Sequence, residues 1–377
     1  MLQTEHLEAT IKVLETTTDN AAANKSTDPQ ATLLVPASHT VAHSWFQRFL
    51  PAEHIESIEA RWHMGNYVMD RKTGEKHFEE MSIYVRAGMH LLYYGSEQEN
   101  VLHWQHVLDL LKEQSVKMGA AYDAPDSRDH IRPFIESFAL QDSLAELAEP
   151  DPDKYASFND FFARALRDGT RPVENGEDMT VVSSPADCRL TAYPTIDLAT
   201  RYWIKGAGFT LGRLLGDDAL AARFDGGTIV IARLAPQDYH RWHSPIDGTV
   251  ESVKVIPGAY YTVNPQAINE SGVMDVFCEN KRSVMLCRRK TTGAPVAIVA
   301  VGAMLVGSIV YQGGVDKAGA EVSRGQCLGA FRYGGSTVIV VYPKGEVVLD
   351  ADLVRNSTEQ QCETLVRVAW RVGAGPA

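Results

Sequence analysis

After Arg171-Pro172 the chain changes grammar: short runs of Val, Ile, Ala and Thr recur between Gly, Pro and Asp, as in GTIVIARL, GTVESVKVI, APVAIVAVG and GSTVIVVY. β-Branched side chains are stiff in a helix and pack well on a pleated surface, so such runs, bounded by turn residues, predict strands. The pattern commits the C-terminal part of the chain to a β-rich fold. Upstream the period differs. In VLHWQHVLDLLKEQ (101–114), Val101, Trp104, Val107, Leu108 and Leu111 recur at helical spacing with Asp109 and Lys112 between them. In SFNDFFARAL, Ser157 and Asp160 predict a capped helix start, with Phe158, Phe161, Phe162 and Leu166 facing inward. The sharpest break is Glu149-Pro150-Asp151-Pro152-Asp153. The predicted class is α+β: a flexible lead-in over 1–35, a helical N-terminal region over 36–150, and a β-rich catalytic domain over 151–377.

Composition narrows the partners. A formal charge of -12 excludes a surface that binds nucleic acid through a general basic field. The five cysteines are scattered, odd in number and without a CxxC pair, which points to a reduced, cytosol-facing protein and to packing roles, including for Cys188. The N-terminus carries acids early and has no secretory pattern. The uncharged stretch from Ala294 to Val310 is marginal for a membrane span, and its Gly302, Gly307 and β-branched residues predict two buried strands instead. His103 and His106 lie three apart on the predicted helix without further ligands, as surface or boundary residues.

Three short segments carry reactive groups. In FRYGGSTVIVVY (331–342), two glycines leave the backbone free to bend and the carbonyl before Ser336 open to attack, although Gly-Gly-Ser also serves ordinary turns. In LAPQDYHRWHSPIDG (234–248), His240 and His243 follow a predicted strand. They suit acid/base chemistry near neutrality; HExxH and a cysteine cluster are both missing, so no metal is expected. In SSPADCRL (183–190), Asp187 follows a Pro-Ala turn, where a carboxylate can orient a histidine. A serine hydrolase would use the same three residue types, but its usual elbow is GxSxG leading into a helix, not Gly-Gly-Ser leading into a strand.

FNDFFARALRDGTRPV, VVSSPADCRL, RYWIKGAGFTLGRLLG, LAPQDYHRWHSPIDG, YYTVNPQAI, DVFCENKRSV, AIVAVGAMLVGSIV, RGQCLGAFRYGGSTVIVVYPKG and ETLVRVAWRVG together resemble, in order, the phosphatidylserine decarboxylase family, over most of residues 155–373. YVRAGMHLLYYG (84–95) is similar to the segment that precedes the core in its eukaryotic, non-mitochondrial branch. The resemblance implies a self-cleaving proenzyme cut between Gly335 and Ser336, with Ser336 becoming a covalent pyruvoyl group. It implies catalytic roles for Asp187, His240, His243 and Ser336: His243 as base for Ser336 with Asp187 behind it, and His240 as proton donor after carbon dioxide leaves. It also implies two cleaved chains that stay associated through the sheet.

The expected reaction is conversion of phosphatidylserine to phosphatidylethanolamine. The competing expectation is decarboxylation of a soluble amino acid such as tryptophan, prompted by the N-terminal extension and by Trp242 after His240. The expected location is the cytoplasm, with peripheral contact to an endomembrane through an apolar patch such as Tyr260, Tyr261 and Val263.

Overall fold

The computed structural model describes residues 65–80, 113, 116–117, 119–202, 204, 208–259, 275–302, 308–332 and 336–376. Its strands, in chain order, begin with β1 (Gly65–Asp70), β2 (Lys76–Glu80), β3 (Val181–Ser183), β4 (Cys188–Tyr193), β5 (Thr228–Leu234) and β6 (Arg241–His243). Then come β7 (Gly248–Ile256), β8 (Arg282–Arg289), β9 (Pro295–Val301), β10 (Ile309–Tyr311) and β11 (Glu321–Val322). The last are β12 (Cys327–Phe331), β13 (Ser336–Tyr342), β14 (Val348–Leu349), β15 (Glu363–Val366) and β16 (Arg371–Ala374). Ten form one sheet in the order β11-β7-β8-β9-β13-β5-β4-β15-β1-β2; two three-stranded sheets, β10-β12-β6 and β14-β16-β3, accompany it.

The unbroken apolar runs follow from burial on both faces of the large sheet. Along β13, Val338, Val340 and Tyr342 enter one core with Trp242, Leu328, Phe331 and Val372 of the small sheets. Ile339 and Val341 enter the other, with Ala199, Leu214, Leu215 and Phe277 of short helices. Period-two alternation thus feeds two cores, and every residue of β13 is buried. β13 is hydrogen-bonded to β5 on one side and β9 on the other.

The mixed α and β content agrees with expectation. Of the two buried strands predicted in Ala294 to Val310, β9 is buried, while the second, the start of β10, lies in another sheet and is part-exposed, with Val310 at the surface. Two features differ. Residues 65–80, assigned by sequence to a helical region, form the β1–β2 hairpin, which joins the sheet through parallel pairing of β1 with β15. This long-range pairing has no local signal. And Tyr122, Phe134 and Leu147 share an apolar cluster with Tyr155, Phe158, Phe161 and Phe162, so one core spans the Pro-Asp break. The predicted helix 101–114, with His103 and His106, lies almost wholly outside the described residues, as do YVRAGMHLLYYG and YYTVNPQAI.

Helix α1 (Ile131–Ser137) packs Ile131, Phe134 and Ile135 into that cluster. Helix α2 (Phe158–Phe162) starts where expected: the Ser157 side chain accepts from the Asp160 amide, and the Asp160 carboxylate accepts from the Ala156 amide. α2 is a single short turn with all three phenylalanines buried.

Candidate active site

Ser336 opens β13 and is fully buried. Opposite it in the ladder stands Leu234, the last residue of β5, and from there the chain turns through Ala235–Asp238 before reaching His240. The turn is closed by the Asp238 amide on the Ala235 carbonyl and by the Ala235 amide on the Asp238 carboxylate. His240 Nδ1 lies 3.2 Å from Ser336 Oγ. Its Nε2 faces the carbonyls of Ala235 at 3.0 Å and Pro236 at 3.2 Å. Carbonyls only accept, so these contacts assign the proton to Nε2 and leave Nδ1 as the acceptor for the serine hydroxyl. The Phe162 ring stacks on the imidazole, 4.0 Å between centroids. Burial, reinforced by the Arg164 charge, holds the pKa of His240 down to about 3, so the ring is neutral.

His243, the last residue of β6, is neutral with the opposite tautomer. Its Nδ1 donates to the Gly325 carbonyl at 2.7 Å, and its Nε2 accepts from the Tyr239 hydroxyl at 3.2 Å. Burial lowers its pKa, while the Gly325 carbonyl and the Asp187 charge act against that shift.

Asp187, in the turn between β3 and β4, receives Arg171 through Nε and Nη2, the latter at 2.6 Å, and the Val368 amide at 2.7 Å. Arg171 in turn binds Glu146 at 2.8 Å. Asp187 therefore reaches His243 through charge, and its hydrogen bonds go elsewhere.

The structure brings Ser336 and His240 into contact and turns His243 to Gly325 and Tyr239. Residues three apart along an extended chain face opposite sides, so one histidine turns to Ser336 and the other to Gly325. Gly335, the expected cleavage junction, lies outside the described residues. Trp242 is fully buried against Phe331 and Tyr311, and a Cβ on Gly329 would stand 2.2 Å from its ring, so Trp242 is a core residue. Cys188 is buried and its thiol pKa is pushed well up by burial, the profile of an inert packing residue.

Sequence reasoning missed the supporting polar groups. Arg189 binds both Glu79 of β2 and Asp238 of the turn that carries His240. Arg233 binds Glu363. Burial acts to lower the Arg189 pKa, but the two carboxylates outweigh it and keep the guanidinium charged. The available signal was arginine inside apolar strands, CRLTAY and TIVIARL, where a buried cation requires a partner. Among the described residues no group of three or more His, Cys, Asp or Glu is arranged to hold a metal ion, and no helix is long and apolar enough to cross a membrane.

Comparison with known proteins matches residues 158–373 to the family model described as phosphatidylserine decarboxylase. The chain is 44% identical over 306 residues to phosphatidylserine decarboxylase proenzyme 3 of Schizosaccharomyces pombe, covering 81% of this chain and 30% of that protein. It is 39% identical to proenzyme 2 of Oryza sativa subsp. japonica, covering 88% of this chain and 53% of that one. With the phosphatidylserine decarboxylase proenzyme of Fusobacterium nucleatum the identity is 36%, covering 81% of this chain and 96% of that protein. The chain thus spans between about a third and about half of the length of the eukaryotic relatives named first.

Proposed function

Because this chain belongs to the phosphatidylserine decarboxylase family, we propose that it is a self-cleaving carboxy-lyase that converts phosphatidylserine to phosphatidylethanolamine and carbon dioxide through a pyruvoyl group made from Ser336. The observation that carries this reading is the buried Ser336 at the head of β13 with a neutral imidazole 3.2 Å from its hydroxyl. Attack on the preceding carbonyl needs only the chain itself and a base, so it can proceed at this buried position, and the substrate must reach position 336 only after conversion.

In the proposed maturation, Ser336 Oγ attacks the Gly335 carbonyl carbon and the peptide bond is exchanged for an ester. Loss of the Ser336 α-proton with departure of the Gly335 carboxylate leaves dehydroalanine, which hydrolyses to pyruvoyl and ammonia. The strand suits a chain end, since β13 stays paired with β5 and β9 whether or not it is linked to residue 335. Once formed, the pyruvoyl group supplies a carbonyl for the substrate amine and an electron sink for the bond to carbon dioxide.

The electrostatics support a division of labour between the histidines. Burial opposes positive charge on both rings; at His240 the Arg164 charge adds to that, whereas at His243 the Gly325 carbonyl and Asp187 act against it. His243 is therefore the better base for maturation, once Ser336 Oγ replaces the Tyr239 hydroxyl at Nε2. His240, with Nδ1 toward position 336, delivers the proton to the carbanion; an entering substrate carboxylate favours its charged form.

The test is intact-mass analysis of purified protein followed by carbon dioxide release from phosphatidylserine vesicles, with free tryptophan and serine in parallel. The expected result is two fragments divided between Gly335 and Ser336, the smaller blocked to Edman sequencing, and turnover of the phospholipid. An intact chain that decarboxylates would refute the mechanism, and turnover of free amino acids alone would refute the substrate. Co-sedimentation with the vesicles tests the proposed peripheral membrane contact.

A further inference from the structure

Arg164 stands two residues beyond α2, with 5% of its surface exposed. Its guanidinium lies over the Phe161 ring, 5.1 Å from the centroid. One arm, Nη2, donates to the carbonyls of Gln237 at 3.2 Å and Asp238 at 3.0 Å. Those carbonyls belong to the turn whose Ala235 and Pro236 carbonyls hold His240, so guanidinium and imidazole hang on one short segment. The other arm, Nη1, is buried without a hydrogen-bond partner.

The carboxylates whose charge acts on Arg164 are committed elsewhere: Asp238 to Arg189 and the Ala235 amide, Asp187 to Arg171 and the Val368 amide. Other buried arginines of the described residues are provided for. Arg189, Arg233 and Arg289 sit in ion pairs, and Arg282 spends its donors on four carbonyls. Arg324 lacks a partner only at Nε, with both Nη atoms bound to carbonyls. Removing a lone guanidinium from water is costly, and burial correspondingly lowers the Arg164 pKa. A cost of this kind, on the same turn as His240, marks a place where an anion would be held strongly.

We propose that Arg164 is the specificity residue that receives the phosphodiester of the substrate through its open Nη1. The inference rests on the decarboxylase reading above and names the group that reading leaves without a partner. The substrate brings two anions, and reaction chemistry selects between them. A carboxylate departs as neutral carbon dioxide, so a strong contact to it would be strongest in the ground state and would raise the barrier. The phosphodiester keeps its charge throughout, and a contact to it strengthens binding without opposing the reaction. The planar guanidinium matches phosphate oxygens in geometry.

The test uses the mature enzyme and four substrates: phosphatidylserine in vesicles, glycerophosphoserine, serine and O-methylserine. The unaltered enzyme is expected to prefer glycerophosphoserine to O-methylserine in kcat/KM. In Arg164→Gln that ratio should fall on the order of 10–100-fold, mainly through KM, because the lost interaction is equal in ground and transition states. Arg164→Lys should fall between the two. Preference for vesicles over glycerophosphoserine identifies the phosphate source as lipid; the reverse identifies a water-soluble diester. Equal loss toward phosphate-bearing and phosphate-free substrates would make Arg164 a purely structural strut and overturn the proposal.

If Arg164→Gln fails to mature, the unaltered enzyme decides through inhibition: glycerophosphoethanolamine should inhibit well below the concentration at which ethanolamine does, and equal inhibition overturns the proposal. An unaltered protein that decarboxylates all four substrates without preference refutes the phosphate contact alone. One that matures and decarboxylates none refutes the underlying function as well.

Discussion

His240 offers a quantitative test of how dry the site is. An unfolded histidine takes up a proton near pH 6.5, whereas the folded ring, buried and beside Arg164, does so only near about 3. Between those values the unfolded state binds the extra proton, so stability rises with pH across the window and is lost as pH falls through it. Each pH unit is worth about 1.4 kcal/mol for one such group, which gives a loss of about 2 kcal/mol by pH 5.0 and about 5 kcal/mol across the whole interval.

The assay is urea denaturation of Ser336→Ala, which keeps the chain in one piece, against Ser336→Ala/His240→Gln, at steps from pH 7.5 to 5.0. His243 and His130, whose pKa values burial also lowers, contribute equally to both proteins and cancel in the difference. Glutamine removes the titration, so the double variant should show a slope shallower by about 1.4 kcal/mol per pH unit below pH 6.5, whatever its absolute stability. Parallel curves would mean that the ring is solvated or charged, and would refute the tautomer assignment from which its contact with Ser336 is argued.

Other consequences follow from the proposed roles and from the packing around them. His243→Ala should remain uncleaved, while His240→Ala should cleave and then turn over some 10²–10⁴-fold more slowly, by intact mass and carbon dioxide release; an uncleaved His240→Ala would exchange their roles. Phe162→Ala empties the space against the His240 ring and should cost about 3–5 kcal/mol in urea denaturation; a loss below about 1 kcal/mol would mean the stack carries no packing weight. Cys188 should resist maleimide in the folded protein at pH 8 and react after unfolding, as mass spectrometry of the labelled peptide can record.

Much of this was legible in the sequence because it depends on local chemistry. The β-branched runs specified strands, and their unbroken hydrophobicity foretold a sheet covered on both faces, as β13 demonstrates residue by residue. Ser157 and Asp160 marked the start of α2. Ser336, His240, His243 and Asp187 could be singled out, but their contacts could not. The spacing of His240 and His243 carries a parity that decides which ring faces Ser336, and reading it required the turn at Ala235–Asp238, which places His240 just ahead of β6. Phe162 is core, as its spacing predicts, and is also the wall of the His240 imidazole. The hairpin of β1 and β2 was hidden because its attachment is to β15, nearly three hundred residues away in the chain.

That hairpin ties the upstream segment to the chemistry. Glu79 of β2 binds Arg189, Arg189 binds Asp238, and Asp238 holds the Ala235 amide, whose residue offers its carbonyl to His240. Glu79 lies outside the stretch matched to the family, yet it stands at one end of a charged chain whose other end sets the imidazole. Such a chain is strong only where water is excluded, which is where the open Nη1 of Arg164 is also most attractive to an anion. A protein of net charge -12 repels an anionic surface at long range, but salt screens that repulsion beyond about 10 Å at 0.1 M and leaves a buried contact nearly untouched. On the proposed reading, recognition of an anionic headgroup therefore belongs inside the site, at a cation the sheet keeps dry.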